Sequence, residues 1–87
     1  MNTNAMPMPS LAELNIGQTC HINKVELTGL LKRRILDLGL VPGTLVECVR
    51  RSPSGNPSAY QVRGTTIALR NEDADFIKVK LESFPII

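Results

Sequence analysis

Short apolar segments separated by turn residues dominate the second half of the sequence and limit what the chain can fold into. Apolar residues alternate with polar ones in the segments at 45–51, 59–63, 66–70 and 76–81. The stretch SPSGNPS at 52–58 separates the first two with Pro and Gly. Because successive side chains of a strand point to opposite faces, this period of two predicts short strands joined by tight loops.

One more strand is predicted before this half. Cys20 and Ile22 alternate with polar neighbours, which predicts a strand over 18–26. Short strands leave exposed edges unless the sheet curls on itself. The spacing of the segments therefore favours a mostly β fold, a small antiparallel barrel of about five strands.

One helix is predicted over 29–38. Leu31, Ile35 and Leu38 stand at positions i, i+4 and i+7, which form one face of a helix. Gly39 follows at the C′ position, where a positive φ favours glycine. We expect the apolar face of this short helix to pack on the sheet.

The stretch LGLVPGT at 38–44 joins this helix to the next strand. Pro42 and Gly43 suit the two central positions of a type II turn. Leu40 and Val41 are apolar residues inside the connection, and two interpretations stay open for them. Either Leu40 covers the core, or Leu40, Val41 and Pro42 project from a rigid turn and dock on a partner.

The chain of 87 residues has room for a single domain. Residues 1–10 are polar and rich in Pro, which predicts a disordered leader. Ser10 and Glu13 have the spacing of a capping box that begins a short helical turn. The domain is predicted over 11–81. The apolar tail at 82–87 either folds back over the barrel or contacts a partner or a second copy.

Composition excludes several classes of protein. A formal net charge of +2 and only three aromatic residues argue against a nucleic-acid binder. The serines have no catalytic partners in sequence, and no glycine-rich phosphate loop occurs, so no enzyme is predicted. With no signal peptide and no apolar run of about 20 residues, the chain is expected in the cytoplasm, reaching a membrane only through a partner.

A metal site is the alternative reading of Cys20, His21 and Cys48. Thiolate and imidazole are ligands for Zn²⁺ and Fe²⁺. However, adjacent strand residues point to opposite faces, so Cys20 and His21 cannot both face one ion without a bulge. Buried core thiols are the favoured interpretation. The acidic cluster at 72–75 lacks the spacing of a calcium loop and is expected to decorate a polar turn.

Three consecutive basic residues, Lys32, Arg33 and Arg34, lie on the predicted helix. One interpretation is a solvated helix face. Alternatively, Arg34 braces a backbone carbonyl, or the cluster contacts an acidic partner surface or lipid phosphates.

The order of these features resembles the FeoA family of ferrous iron transport proteins, over about residues 11–81. The likeness is carried by Arg34 with LGLVPG at 38–43, and by GTTIALR at 64–70 followed by Ala74 and Ile77. The same small domain is similar to the C-terminal domain of iron-dependent repressors. The resemblance implies an SH3-like β-barrel with one inserted helix.

The resemblance also implies a function, that of a non-catalytic cytosolic accessory of a membrane GTPase permease, FeoB, which imports Fe²⁺. No cofactor is implied, and a monomer or weak homo-oligomer is expected. The alternative is a stand-alone SH3-like regulatory domain that binds a ligand or metal. The expected partner-binding residues are Arg34, Leu38, Leu40, Val41 and Pro42. The expected turn-forming residues are Gly39, Gly43 and Gly64.

Overall fold

A five-stranded antiparallel sheet forms the body of the protein. A computed structural model describes residues 9–52 and 57–81. The predicted leader, the tip of the loop at 53–56 and the tail lie outside these residues, apart from Pro9 and Ser10. The elements, in chain order, are a 3₁₀ turn (Leu11–Glu13), β1 (Thr19–Val25), α1 (Gly29–Asp37), β2 (Leu45–Arg51), β3 (Ser58–Val62), β4 (Thr65–Leu69), α2 (Asn71–Ala74) and β5 (Ile77–Leu81).

The strands lie in the spatial order β4-β3-β2-β1-β5. Strands that follow one another along the chain are mostly neighbours, and β5 crosses over to pair with β1. The five predicted strands and the single three-turn helix are confirmed, with ends that differ by one or two residues. The outermost strands β4 and β5 do not pair with each other, so the barrel-like sheet is not closed and keeps two edges.

Alternation along the strands places one set of apolar side chains inside the curved sheet. In β2, Val46 and Cys48 are buried, and in β3, Tyr60 and Val62 are buried. The register pairs Cys48 with Tyr60 across these two strands. The core consists of Leu11, Leu14, Cys20, Ile22, Val25, Leu27, Ile35, Leu40, Val46, Cys48, Tyr60, Val62, Ile67, Leu69, Ala74, Ile77 and Val79.

The N-terminal 3₁₀ turn packs against the sheet as a lid on the core. The backbone N–H of Ser10 donates to Glu13 Oε2 at 3.1 Å, which confirms the predicted capping box. The side chains of Arg51 and Tyr60 donate hydrogen bonds to backbone carbonyl groups in and next to this turn. Arg51 donates from Nη1 to Leu14 O and from Nη2 to Ala12 O, at 2.6 and 2.8 Å.

Tyr60 supplies the third contact to this lid. Its buried hydroxyl donates to Leu11 O at 3.2 Å. Burial raises the pKa of Tyr60 above its ordinary value, and the nearby Cys48 adds to this effect, while Arg51 acts in the opposite direction. The buried phenol is therefore favoured in its neutral form.

Glycine conformations set the connection that follows the helix, as predicted. Gly39 has a φ of +102° directly after the helix C-cap Leu38. Thr44 N–H donates to Val41 O at 3.0 Å across Pro42 and Gly43, with Gly43 at a φ of +93°. These values fit the predicted type II turn.

The turn between β3 and β4 lies one residue earlier than predicted. Arg63 and Gly64 both have positive φ values, of 52° and 81°, and they connect the paired ends Val62 and Thr65. A two-residue hairpin turn with two positive φ values has type I′ character, which matches the right-handed twist of the strands. The predicted turn role of Gly64 agrees with this geometry.

Candidate functional site

A groove with a volume of about 460 Å³ separates α1 from the edge strand β4. Its volume falls within the range typical of ligand pockets in proteins. Helix α1 forms one wall, while β4 and the first residues after it form the other. The lining residues are Leu31, Arg34, Ile35, Leu38, Ile67, Ala68, Leu69, Arg70 and Asp73.

The helical wall of the groove is the apolar face predicted from the spacing of Leu31, Ile35 and Leu38. Only Ile35 packs fully into the core, with 1% of its surface exposed. Leu31 is 36% exposed and Leu38 is 42% exposed. The apolar face is therefore divided, because its middle residue reaches the core and its two outer leucines do not. Ile35 and the partly buried Leu36 pack against the core, and the two leucines that flank Ile35 face the groove.

The opposite wall is formed by β4. Ile67, Ala68 and Leu69 are consecutive, and successive side chains of a strand point to opposite faces of the sheet. A cavity that contacts all three therefore runs along the edge of the strand. In the parts of the chain that the structure describes, no backbone hydrogen bond joins this outer edge to another segment.

Charged side chains flank the apolar walls. Arg34 lies on α1 and Arg70 follows β4, and both are exposed. Within residues 9–52 and 57–81, neither guanidinium makes a hydrogen bond or an ion pair. Asp73, from α2, is the single carboxylate of the lining. The groove thus combines an apolar floor with one net positive charge.

The structure brings together only part of the predicted docking surface. Arg34 and Leu38 line the groove, whereas Val41 and Pro42 lie in the turn beyond the helix. Val41 is half-buried and Pro42 is exposed.

Leu40 corrects the prediction of an exposed apolar projection. It is fully buried, and its N–H donates to Ile35 O at 3.2 Å, so its side chain belongs to the core. The interpretation that Leu40 covers the core is the one that agrees with the structure, and the side chain is not available to a partner. A Leu40→Asp change would place a carboxylate in the core.

Sequence reasoning missed the residues on the β4 side of the groove. Ile67 and Leu69 were predicted only as strand residues, and Asp73 only as decoration of a polar turn. The residues of α1 and β4 that line the groove are about thirty positions apart in the chain, so no local sequence pattern predicts that they come together.

The two cysteines lie in the core and form no disulfide. Cys20 and Cys48 are both fully buried, in agreement with the favoured interpretation. His21 is only partly buried on the other face of β1. The described residues contain no group of three or more His, Cys, Asp or Glu side chains arranged to hold a metal ion. No described helix is long and apolar enough to cross a membrane.

Comparison with known proteins gives a family for this chain. The model of the FeoA domain matches residues 10–81. A Porphyromonas gingivalis protein, an Fe(2+) transport protein A/Fe(2+) transporter FeoB fusion, is 37% identical over 73 residues. The match covers 84% of this chain but 9% of the fusion protein, so the chain corresponds to a small part of that relative.

Solved structures agree with the family and with the predicted SH3-like architecture. The FeoA protein of Chlorobium tepidum is 30% identical, with a TM-score of 0.81 over 85% of this chain and 70% of that one. The FeoA of Stenotrophomonas maltophilia, an SH3 domain protein solved with zinc, is 31% identical, with a TM-score of 0.74 over 87% of this chain and 91% of that one.

The fold extends to transcriptional repressors, as the sequence resemblance implied. A manganese-dependent transcriptional repressor has a TM-score of 0.75 at 16% identity, and the match covers 87% of this chain and 44% of the repressor. At this identity the likeness shows a shared fold alone. The match to the FeoA domain and the two FeoA structures show more than a shared fold: this chain belongs to the FeoA family.

Proposed function

We propose that this protein is a non-catalytic cytosolic accessory of ferrous iron uptake, which binds the cytosolic portion of an FeoB-like GTPase permease and modulates its work. The observation that carries the proposal is the relative in which an FeoA-like part and an FeoB transporter share one polypeptide. Fusion places two domains at a high effective concentration, which favours even a weak contact. When the FeoA-like protein and the permease are separate chains, each needs a surface that makes this contact without the fusion.

The groove between α1 and β4 supports this role by its chemistry. It offers exposed apolar side chains from Leu31 and Leu38 next to the unpaired Arg34. Such a combination is typical of protein contacts, in which an apolar centre is surrounded by charged groups. Arg34 and Leu38 remain proposed contact residues. Val41 and Pro42 remain proposed as a secondary contact beyond the helix end.

The proposal is tested by binding of the purified protein to the cytosolic domain of an FeoB-like permease from the same organism. Immobilised protein is titrated with that domain with and without Fe²⁺, and with GTP, GDP or no nucleotide. We expect saturable binding, and its dependence on nucleotide identifies which state of the permease is recognised. Absence of binding under every condition contradicts the proposed function.

A regulatory domain that binds a metal is the competing function. The zinc complex of the Stenotrophomonas maltophilia FeoA gives it some support. In this chain Cys20 and Cys48 lie in the core, whereas His21 lies on the other face of β1, so these three side chains do not face one site. Stoichiometric zinc binding by the isolated protein, combined with no binding to the permease domain, would favour this alternative.

A further inference from the structure

We propose that the groove binds an extended segment of the partner, which adds a sixth strand to the sheet along the outer edge of β4. The segment carries apolar side chains that pack against Leu31 and Leu38, and a carboxylate that pairs with Arg34 and Arg70. This inference rests on the proposed function and names the kind of permease segment that the site recognises.

The two edges of the sheet differ in whether another part of the chain covers them. The outer edge of β5 is covered by the start of the domain, since Val79 N–H donates to Pro9 O at 2.9 Å and Ser10 forms a bridge to Lys78. The outer edge of β4 has no such cover among the described residues. Proteins usually protect their edges, and an open edge is a template for an added strand.

The shape of the groove fits a strand. Because Ile67, Ala68 and Leu69 all contact the cavity, the free volume lies beside the backbone of β4, where the next strand of a sheet belongs. A strand matching the five residues of β4 is about 17 Å long. Helix α1 then forms a wall on the far side of the added strand, and its leucines contact alternate side chains.

Charge complementarity specifies the chemistry of the segment. The groove is lined by two residues with guanidinium groups, Arg34 and Arg70, and by one with a carboxylate, Asp73. Arginine pairs with a carboxylate through two parallel hydrogen bonds, which adds direction as well as attraction. The preferred segment therefore alternates apolar residues and contains an Asp or Glu.

The chain's own tail, ESFPII at 82–87, has related chemistry and is the competing occupant. Two observations favour a partner instead. The tail follows Leu81 of β5, which lies at the opposite edge of the sheet from β4. Pro85 also has no N–H to donate to a ladder of backbone hydrogen bonds.

The test uses overlapping 12-residue peptides that cover the cytosolic part of the permease, with binding to the full-length protein measured by fluorescence polarisation. Groove variants Arg34→Glu and Leu38→Asp are matched with Arg33→Glu and Leu30→Asp, which change neighbouring exposed helix residues outside the groove. We expect at least a tenfold loss of affinity for the groove variants and less than a twofold change for the matched controls.

Amide hydrogen exchange distinguishes an added strand from a contact between side chains only. We expect the bound peptide to slow exchange at least tenfold at the β4 amides that point away from β3. Binding without this protection, or equal losses in groove and control variants, overturns the inference while the whole permease domain still binds. Slow exchange of the same β4 amides in the free protein that becomes fast after deletion of 82–87 identifies the tail as the occupant and also overturns the inference. Failure of the whole domain to bind contradicts the proposed function itself.

Discussion

The guanidinium of Arg51 donates to the carbonyl oxygen of Leu14 at 2.6 Å, across 37 positions of the chain. Its second terminal nitrogen donates to Ala12 O at 2.8 Å. One side chain at the end of β2 therefore binds the middle of the N-terminal turn and its C-cap residue. That turn places Leu11 and Leu14 over the core, where both are fully buried.

Replacing Arg51 by Met is expected to lower the free energy of unfolding by about 2–3 kcal/mol, because two hydrogen bonds from a charged donor are lost and two carbonyl groups lose their partners. Urea denaturation followed by circular dichroism measures the change. Arg50→Met is the matched control, since Arg50 is exposed on the same strand, and its effect should stay within about 0.5 kcal/mol. Equal effects of the two changes would show that the contacts to the turn contribute little.

Leu38 and Leu40 are two residues apart and have opposite environments, which gives a second prediction. Leu40 is fully buried, whereas Leu38 is 42% exposed in the groove. Leu40→Ala should lower the free energy of unfolding by about 2–5 kcal/mol, the usual range for a core leucine. Leu38→Ala should cost less than about 1 kcal/mol. Thermal and urea unfolding of both variants check this, and a folded, stable Leu40→Asp variant would contradict the burial of this side chain.

These two leucines also show where sequence reasoning succeeds and where it stops. The i, i+4, i+7 spacing correctly placed Leu38 on the same helix face as Ile35. The spacing does not tell how closely the helix approaches the sheet, and that distance decides whether a face is core or groove. The conformation of Gly39, with a φ of +102°, turns the chain so that Leu40 enters the core.

Strands and turns were easier to predict than the site because their signals are local. Proline, glycine and alternating apolar residues mark each strand within a residue or two of its observed end. The groove combines Arg34 with Ile67 and Asp73, which come together only through the tertiary fold. No local pattern of residues indicates that β4 is the uncovered edge.

Arg63 occupies a backbone conformation that few residues with a side chain adopt. Its φ is 52°, in the left-handed region, at the first central position of the turn between β3 and β4. Asn is preferred at this position of a type I′ turn. Arg63→Asn is therefore expected to raise the free energy of unfolding by about 0.5–1 kcal/mol.

Arg63→Val provides the opposite control, because a β-branched side chain is strongly disfavoured at positive φ, and it should lower the stability. Both variants are compared by urea denaturation at one pH. An order of stability with Val above Asn would contradict the assigned turn geometry.

Tyr60 is the only tyrosine of the chain, so its ionisation can be followed alone. Burial raises its pKa above the ordinary value of about 10. Because the folded state holds the phenolic proton more tightly than the unfolded state, Tyr60 contributes full stability below pH 10, and this contribution is lost as the pH rises through the folded pKa. Near-ultraviolet absorbance of tyrosinate should therefore titrate at a higher pH in the folded protein than in urea.

The Tyr60→Phe variant separates this effect from the other groups that ionise in alkali. At neutral pH the variant should be less stable by about 1 kcal/mol, because the hydrogen bond to Leu11 O is lost. Above about pH 10 the wild-type protein alone loses the contribution of the phenol, so the difference between the two proteins should shrink. A difference that stays constant or grows with pH would mean that the folded state does not favour the neutral phenol, and that the contact of Tyr60 with the N-terminal turn is not buried as the structure has it.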